Sequence, residues 1–150
     1  MKKLRWLGLS VLCGGLLTAC ETTSDEPAFS TVPALTLEAV SATELTAFTD
    51  SLVLTIGYQD GDGDLGSSDP DERLITVRDS RLSEADTYYL PPLAPEGTAV
   101  SIRGEIDFVL PPFFVLGNAD RETVDLTLTF TDRAGQVSNA LQTTITVVRQ

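Results

Sequence analysis

Apolar and polar residues alternate along most of the chain beyond residue 34, which is the period-2 pattern of β-strands with one buried face. Seven segments have this pattern or the Thr, Val and Ile content that is typical of strands. They lie near residues 35–39, 52–58, 74–77, 88–90, 100–108, 124–130 and 141–148. No window of a dozen residues has the apolar stripe of an amphipathic helix, although Ser83–Asp86 is compatible with one helical turn.

Strands that are separated by Gly, Asp and Pro turns, with no helices between them, are typical of an antiparallel sandwich. About seven strands is also the number in an immunoglobulin-like domain. We therefore predict an all-β, antiparallel immunoglobulin-like β-sandwich over residues 34–150. A long apolar loop at 109–121 contains paired prolines and paired phenylalanines. This loop either folds over the end of the core or presents a patch to a partner.

The first 19 residues have the character of an export signal. Three basic residues among the first five precede an apolar run from Trp6 to Leu17, which is short for a permanent membrane helix. The run leads into Leu-Thr-Ala-Cys, which closes at Cys20 and resembles the lipobox of bacterial lipoproteins.

This resemblance implies that residues 1–19 are a cleaved signal peptide and that Cys20 is lipidated and becomes the mature N-terminus. Residues 20–33, which are polar and contain prolines, are then a flexible tether, and residues 34–150 are the folded domain. Glu21 stands where an inner-membrane retention signal has Asp, so the resemblance implies an outer-membrane anchor, facing the periplasm or the cell surface. The alternative is a plain secretory signal with an incidental cysteine.

Removal of the signal peptide leaves seven arginines, no lysine and 22 acidic residues, so the net charge is 7 − 22 = −15. Such a chain lacks the basic patches that nucleic acids and anionic lipid head groups require, and we expect no nucleic-acid partner. Without histidine, and with Cys20 as its one remaining cysteine, the mature chain has no internal disulfide and no Ser–His or thiol catalysis of the usual kind. The same composition disfavours a zinc site.

The densest acidic cluster lies in a loop where three aspartates occupy alternate positions. Asp60, Asp62 and Asp64 are separated by glycines, which let the backbone turn and direct the carboxylates inward. Calcium takes about six to eight oxygen ligands, so this Asp loop is a candidate calcium site. Magnesium prefers fewer carboxylates and more water. The alternative is a solvated turn without an ion, because Asp-Gly is a favoured turn dipeptide.

The spacing of the Asp loop partly follows that of an EF-hand. If Asp60 is position 1, the Gly66 carbonyl falls at position 7 and Asp71 at position 12, which makes Asp71 a predicted ligand. The loop departs from that pattern because Leu65 replaces the glycine of position 6 and a strand precedes the loop. It resembles more closely the Asp-Gly loops that bind calcium in all-β extracellular modules.

A second acidic turn, at residues 131–136, follows the strand predicted at 124–130. In a seven-stranded sandwich this turn and the Asp loop lie at the same end. Asp132 is therefore predicted to approach the three aspartates, as a further ligand or as a neighbour of the ligands. Arg133 is an alternative partner for one of the carboxylates.

Several segments together resemble a group of small, uncharacterised bacterial lipoproteins with an immunoglobulin-like domain. The segments are the lipobox, the acidic tether, the run at 54–66, Arg103–Ile106 and the turn at 131–139. The resemblance covers most of the mature domain. It implies the fold and the outer-membrane location, and it implies no activity.

These features predict a non-catalytic binding or adhesion module, a calcium-stabilised β-sandwich that is displayed on a lipid anchor and binds a protein or glycan. A structural or accessory subunit of an outer-membrane complex is the alternative. A hydrolase that uses a pair of carboxylates is compatible with 22 acidic residues, but a domain of this size has little room for a substrate cleft.

Overall fold

The computed structural model describes residues 29–150, and the predicted signal peptide and Cys20 lie outside these residues. The described part contains eight strands. They are β1 (Ala34–Val40), β2 (Glu44–Thr46), β3 (Leu52–Asp60), β4 (Ile75–Asp79), β5 (Asp86–Tyr88), β6 (Ile102–Leu110), β7 (Arg121–Phe130) and β8 (Leu141–Val148). The prediction of an all-β domain over residues 34–150 is confirmed. Within residues 29–150 no helix is long and apolar enough to cross a membrane.

The strands form two sheets, as in a β-sandwich. The smaller sheet has the order β1-β3-β6, and the larger sheet has the order β2-β8-β7-β4-β5. Neighbouring strands are antiparallel except β2 and β8, which run parallel. The arrangement is consistent with the predicted antiparallel sandwich, except for the parallel pair of β2 and β8.

Three details differ from the sequence prediction. Strand β2 was missed because three residues are too few to show a period. Strand β5 begins at Asp86, earlier than the predicted segment, and Leu90 is instead a buried residue beyond the strand. Ser83 and Glu84, which are compatible with a helical turn, form a bend that leads into β5.

The core lies between the sheets and consists of the apolar residues of the alternating segments. Leu52, Leu54 and Ile56 of β3 are each at most 2% exposed, and they belong to the same buried cluster as Val124 and Phe130 of β7. Burial of one such side chain stabilises the folded state by about 1.5–3 kcal/mol. The alternation in the sequence therefore reflects one buried and one more exposed face on long strands such as β3 and β7.

The two sheets bring the acidic segments to one end of the domain. Strand β3 finishes at Asp60, beside the first residue of β6. The turn that follows β7 lies beside the same end, because the Arg133 N–H donates to the Asp64 carbonyl at 3.3 Å. We call this end, formed by residues 60–66 and 131–136, the acidic end.

The opposite end carries the apolar loop that was predicted at 109–121. Leu110, the last residue of β6, is buried and Phe113 is half-buried, so part of the loop covers the core. Phe114 is 40% exposed, and its ring stacks at 6.3 Å on the ring of Phe48, which is 76% exposed. Part of the loop therefore covers the core, as one of the two interpretations predicts, and another part is exposed. We call this end the aromatic end.

Candidate metal centre

The Asp loop turns back on the strand that delivers it. Asp60, the last residue of β3, is fully buried, and its Oδ2 accepts a hydrogen bond from the Asp64 N–H at 2.9 Å. Carboxylate oxygens of Asp60, Asp62 and Asp64 lie within 4.8 Å of one another. This group could hold a metal ion.

Two glycines and a leucine determine the path of the loop. Gly63 and Gly66 have φ angles of 73° and 80°, a region that residues with a side chain rarely adopt. A Cβ atom at Gly63 would lie 2.4 Å from the Val100 carbonyl oxygen, so the loop packs directly against the segment before β6. Leu65 is fully buried and anchors the loop in the core. A leucine therefore stands where an EF-hand loop has glycine because the chain here turns into the core.

The turn after β7 brings a fourth carboxylate near the loop, because the charge of Asp132 acts on both Asp60 and Asp64. Asp132 lies outside the group of three whose oxygens are within 4.8 Å of one another. Asp132 is 1% exposed, and its Oδ1 accepts a hydrogen bond from the Gln136 N–H at 2.7 Å. The Ala134 N–H donates to Asp64 Oδ2 at 3.1 Å, which ties the turn to the Asp loop. Backbone groups of the turn thus orient carboxylates on both segments.

Each of the four aspartates has one buried carboxylate oxygen without a hydrogen-bond partner in the described part of the chain. These orphan oxygens are Asp60 Oδ1, Asp62 Oδ1, Asp64 Oδ1 and Asp132 Oδ2. A buried polar atom without a partner costs about 1–3 kcal/mol, and a charged one costs more. Four such oxygens at one end of the domain are the arrangement that a cation would satisfy.

The electrostatics of the cluster also favour an added positive charge. Burial raises the pKa of Asp60, and the charges of Asp62 and then Asp132 raise it further. Burial is likewise the main cause that raises the pKa of Asp64, followed by the charge of Asp132. The surroundings therefore destabilise the ionised form of these carboxylates, and a nearby cation would offset that effect.

Two residues singled out in the sequence lie outside the cluster. Asp71 is exposed and does not belong to the group of three loop carboxylates. The Arg133 guanidinium donates to the carbonyls of Gly63 and Gly66, and within residues 29–150 no ion pair joins it to the four aspartates. The EF-hand numbering thus describes the cluster only as far as Asp64, because the chain then enters the core at Leu65.

Residues that were assigned to the tether also contact the acidic end. The Gly61 N–H donates to the Ser30 carbonyl at 2.8 Å, and Gln136 Nε2 donates to the Thr31 carbonyl at 3.0 Å. In both hydrogen bonds the acceptor is a backbone carbonyl of residues 30–31. The identities of these residues therefore give no indication of the contacts.

The cluster offers only carboxylate oxygens, which are hard ligands and suit Ca²⁺ or Mg²⁺ better than Zn²⁺ or Cu²⁺. The site is therefore suited to binding a cation that prefers oxygen ligands. Comparison of the chain with protein-family models, curated proteins and solved structures finds no match.

Proposed function

We propose that this protein is an outer-membrane lipoprotein whose immunoglobulin-like β-sandwich is stabilised by one calcium ion and serves as a non-catalytic binding or adhesion module. The observation that carries the calcium proposal is the set of four orphan oxygens at the acidic end. The lipobox-like sequence that ends at Cys20 supports the lipid anchor. The two sheets of mainly antiparallel strands support the immunoglobulin-like fold.

Calcium fits the cluster better than the other common cations. It accepts several carboxylates in a flexible geometry, whereas magnesium demands a near-octahedral shell and keeps several waters. Zinc prefers nitrogen and sulfur ligands, which aspartates do not supply. Exported modules also bind calcium with dissociation constants of about 10⁻⁴ to 10⁻³ M, a range that a single carboxylate loop and one adjoining turn can reach.

The ion is proposed to hold the fold together, and the ligand is proposed to bind elsewhere. Asp60 and Asp132 are buried, so a cation between them would be enclosed by the domain. The exposed phenylalanines lie instead at the aromatic end, where Phe48 and Phe114 are 76% and 40% exposed and Leu116 is 47% exposed. Exposed valines lie beside the acidic end, but no exposed aromatic ring does among the described residues. Because exposed apolar residues mark contact surfaces, the aromatic end is the proposed surface for a protein or glycan.

The exposed residues of the aromatic end also favour a second candidate function, that of an accessory subunit of an outer-membrane complex. Chemical cross-linking in native membranes, followed by purification of this protein, distinguishes the two. A single partner recovered in equal amount favours the accessory subunit. Release of the protein without a stoichiometric partner favours the separate binding module.

The proposal of a non-catalytic protein follows from the available side chains. The chain has no histidine. The three loop carboxylates form one compact group whose ligand oxygens lie within 4.8 Å of one another, an arrangement that suits coordination of a cation. Coordination of a cation would leave these carboxylates unable to act as an acid or a nucleophile.

Calorimetric titration of the full chain, purified in detergent, tests the calcium site. We expect one calcium per chain and magnesium binding that is weaker by about tenfold or more. Asp62→Asn removes one ligand charge and should weaken calcium binding at least about tenfold. Asp120→Asn, an exposed aspartate at the aromatic end, is the matched control and should bind as the wild type does.

The Asp71→Asn variant tests whether the exposed Asp71 contributes to calcium binding. Since Asp71 is exposed and has no buried orphan oxygen, we expect wild-type affinity for this variant. Calcium binding that is absent in the wild type, or is lost equally in the Asp62 and Asp120 variants, would refute the proposed site.

A further inference from the structure

We propose that metal binding clamps residues 29–31 onto the acidic end and so fixes where the chain enters the domain. This inference rests on the calcium site proposed above, and it assigns to that site a role in holding the chain's own N-terminal segment. Contacts to both acidic segments, the Asp loop and the turn at 131–136, carry the argument.

The first contact joins the segment to the Asp loop. The Gly61 N–H donates to the Ser30 carbonyl at 2.8 Å. Gly61 stands between Asp60 and Asp62, so two proposed ligands flank the residue that makes this bond. A Cβ atom at position 61 would lie 2.3 Å from the Phe29 carbonyl oxygen, which shows that the segment lies directly on the loop.

The second contact joins the segment to the turn that carries Asp132. Gln136 Nε2 donates to the Thr31 carbonyl at 3.0 Å, while the Gln136 N–H holds Asp132 Oδ1 at 2.7 Å. One residue therefore contacts the segment with its side chain and orients a proposed ligand with its backbone. Pro33 is buried, so the packing continues from the segment into β1.

The segment and the ion stabilise the same arrangement of the loop and the turn. Without a cation, repulsion among the four carboxylates favours movement of the turn away from the loop. Such movement would separate the two surfaces that hold residues 29–31. By linkage, the ion strengthens the docking of the segment by the same factor by which the docked segment strengthens binding of the ion.

The clamp has a consequence for the orientation of the domain. The chain enters at the acidic end, where Ala34 at the start of β1 pairs with Gln59 near the end of β3. Phe48 and Phe114 lie at the opposite, aromatic end. With calcium bound, an anchor on Cys20 would therefore hold the acidic end toward the membrane and direct the aromatic end away from it.

Cleavage by chymotrypsin after Phe29 measures the clamp in the full chain. The rate of this cleavage is proportional to the fraction of molecules in which residues 29–31 are detached from the domain. The loss of one hydrogen bond of ordinary strength raises that fraction about five- to tenfold. We therefore expect calcium to slow this cleavage about five- to tenfold relative to a chelator. Cleavage after Phe48, which is 76% exposed at the aromatic end, is the internal reference and should not change.

Gly61→Ala separates the clamp from the metal ligands because it keeps all four aspartates. Gly61 does not have a positive φ, so the added methyl group acts through its contact with the Phe29 carbonyl. We expect rapid cleavage after Phe29 with and without calcium, and calcium affinity lower by about the same five- to tenfold. Gly117→Ala, where a Cβ atom would meet only the Glu122 carboxylate at 3.3 Å, is the matched control.

Gln136→Ala removes the bond to Thr31 and keeps the backbone N–H that orients Asp132, so it tests the clamp if Gly61→Ala fails to fold. Calcium binding with unchanged cleavage after Phe29 would overturn the clamp and leave the metal site intact. Protection of both variants by calcium, at the wild-type level, would also overturn it. If calorimetry finds no calcium binding in the wild type, the clamp and the calcium site are refuted together.

Discussion

Replacement of Asp62 by asparagine is expected to stabilise the metal-free protein and to reduce the stabilisation that calcium confers. The substitution keeps the size of the side chain and removes one charge from a group whose carboxylate oxygens lie within 4.8 Å of one another. Asp62 Oδ1 is one of the orphan oxygens, and no side-chain hydrogen bond of Asp62 within the described chain is lost. The variant therefore isolates the effect of charge.

The spacing of the carboxylates determines the size of the effect without metal. Two unit charges 4.8 Å apart repel by ~0.9 kcal/mol in water and by ~3.5 kcal/mol at an effective dielectric constant of 20. Because Asp62 is half-buried, we expect the free energy of unfolding to rise by ~1–3 kcal/mol. For a domain of this size, that change raises the melting temperature by roughly 3–10 °C.

Calcium should affect the two proteins unequally. An ion present at 100 times its dissociation constant stabilises the folded state by ~2.7 kcal/mol, and at 10 times by ~1.4 kcal/mol. A variant that binds tenfold more weakly therefore gains about half as much from the same calcium concentration. In the wild type, the expected rise in melting temperature is roughly 10 °C.

Thermal unfolding followed by circular dichroism, in a chelator and in calcium, measures both effects. Asp120→Asn is the control for loss of one negative charge at an exposed site. We expect it to change the free energy of unfolding by less than ~0.5 kcal/mol, both in the chelator and in calcium. Two results would contradict these expectations. One is a lower melting temperature of Asp62→Asn in the chelator, and the other is an equal response of both proteins to calcium.

Three further predictions concern protonation, packing and the anchor. Burial and neighbouring charges raise the pKa of Asp60 and Asp64 above the ordinary 3.8, so the folded metal-free chain takes up protons before the unfolded chain does. Its melting temperature in a chelator should rise as the pH falls from neutrality toward 4.5, the ordinary pKa of glutamate. At lower pH the effect reverses in part, because Asp50, Glu96 and Glu122 have lowered pKa values and lose their stabilising charge. A steady fall from neutrality would contradict this prediction. Leu65→Ala should cost ~2–5 kcal/mol in unfolding free energy and weaken calcium binding, because the fully buried Leu65 anchors the Asp loop; calorimetry and denaturant unfolding check both effects. Cys20→Ser should move the protein from the membrane fraction to the soluble fraction, and unchanged membrane association would contradict a lipid on Cys20.

The strands with one buried face could be predicted from the sequence. Leu52, Leu54 and Ile56 alternate with more exposed residues because β3 has one face in the core, so its period is visible over nine residues. Strand β2 has only Leu45 as a buried residue and pairs in parallel with β8, a contact that no local pattern encodes.

The site was predictable to the extent that it is local. Asp60, Asp62 and Asp64 occur within five residues, and the structure brings them together. The place of Asp132 beside them depends on how the two sheets align their ends, which the sequence indicated only through the expected fold. Asp71 was added by analogy with EF-hand spacing, which does not apply here because Leu65 carries the chain into the core.

A crystal structure of the calcium-bound protein, with the ion located by its anomalous scattering, would show the proposed site itself. We expect one ion at the acidic end, about 2.3–2.6 Å from Asp60 Oδ1, Asp62 Oδ1, Asp64 Oδ1 and Asp132 Oδ2. An ion bound without Asp132, or the four carboxylates without an ion at a calcium concentration well above about 10⁻³ M, would contradict this expectation.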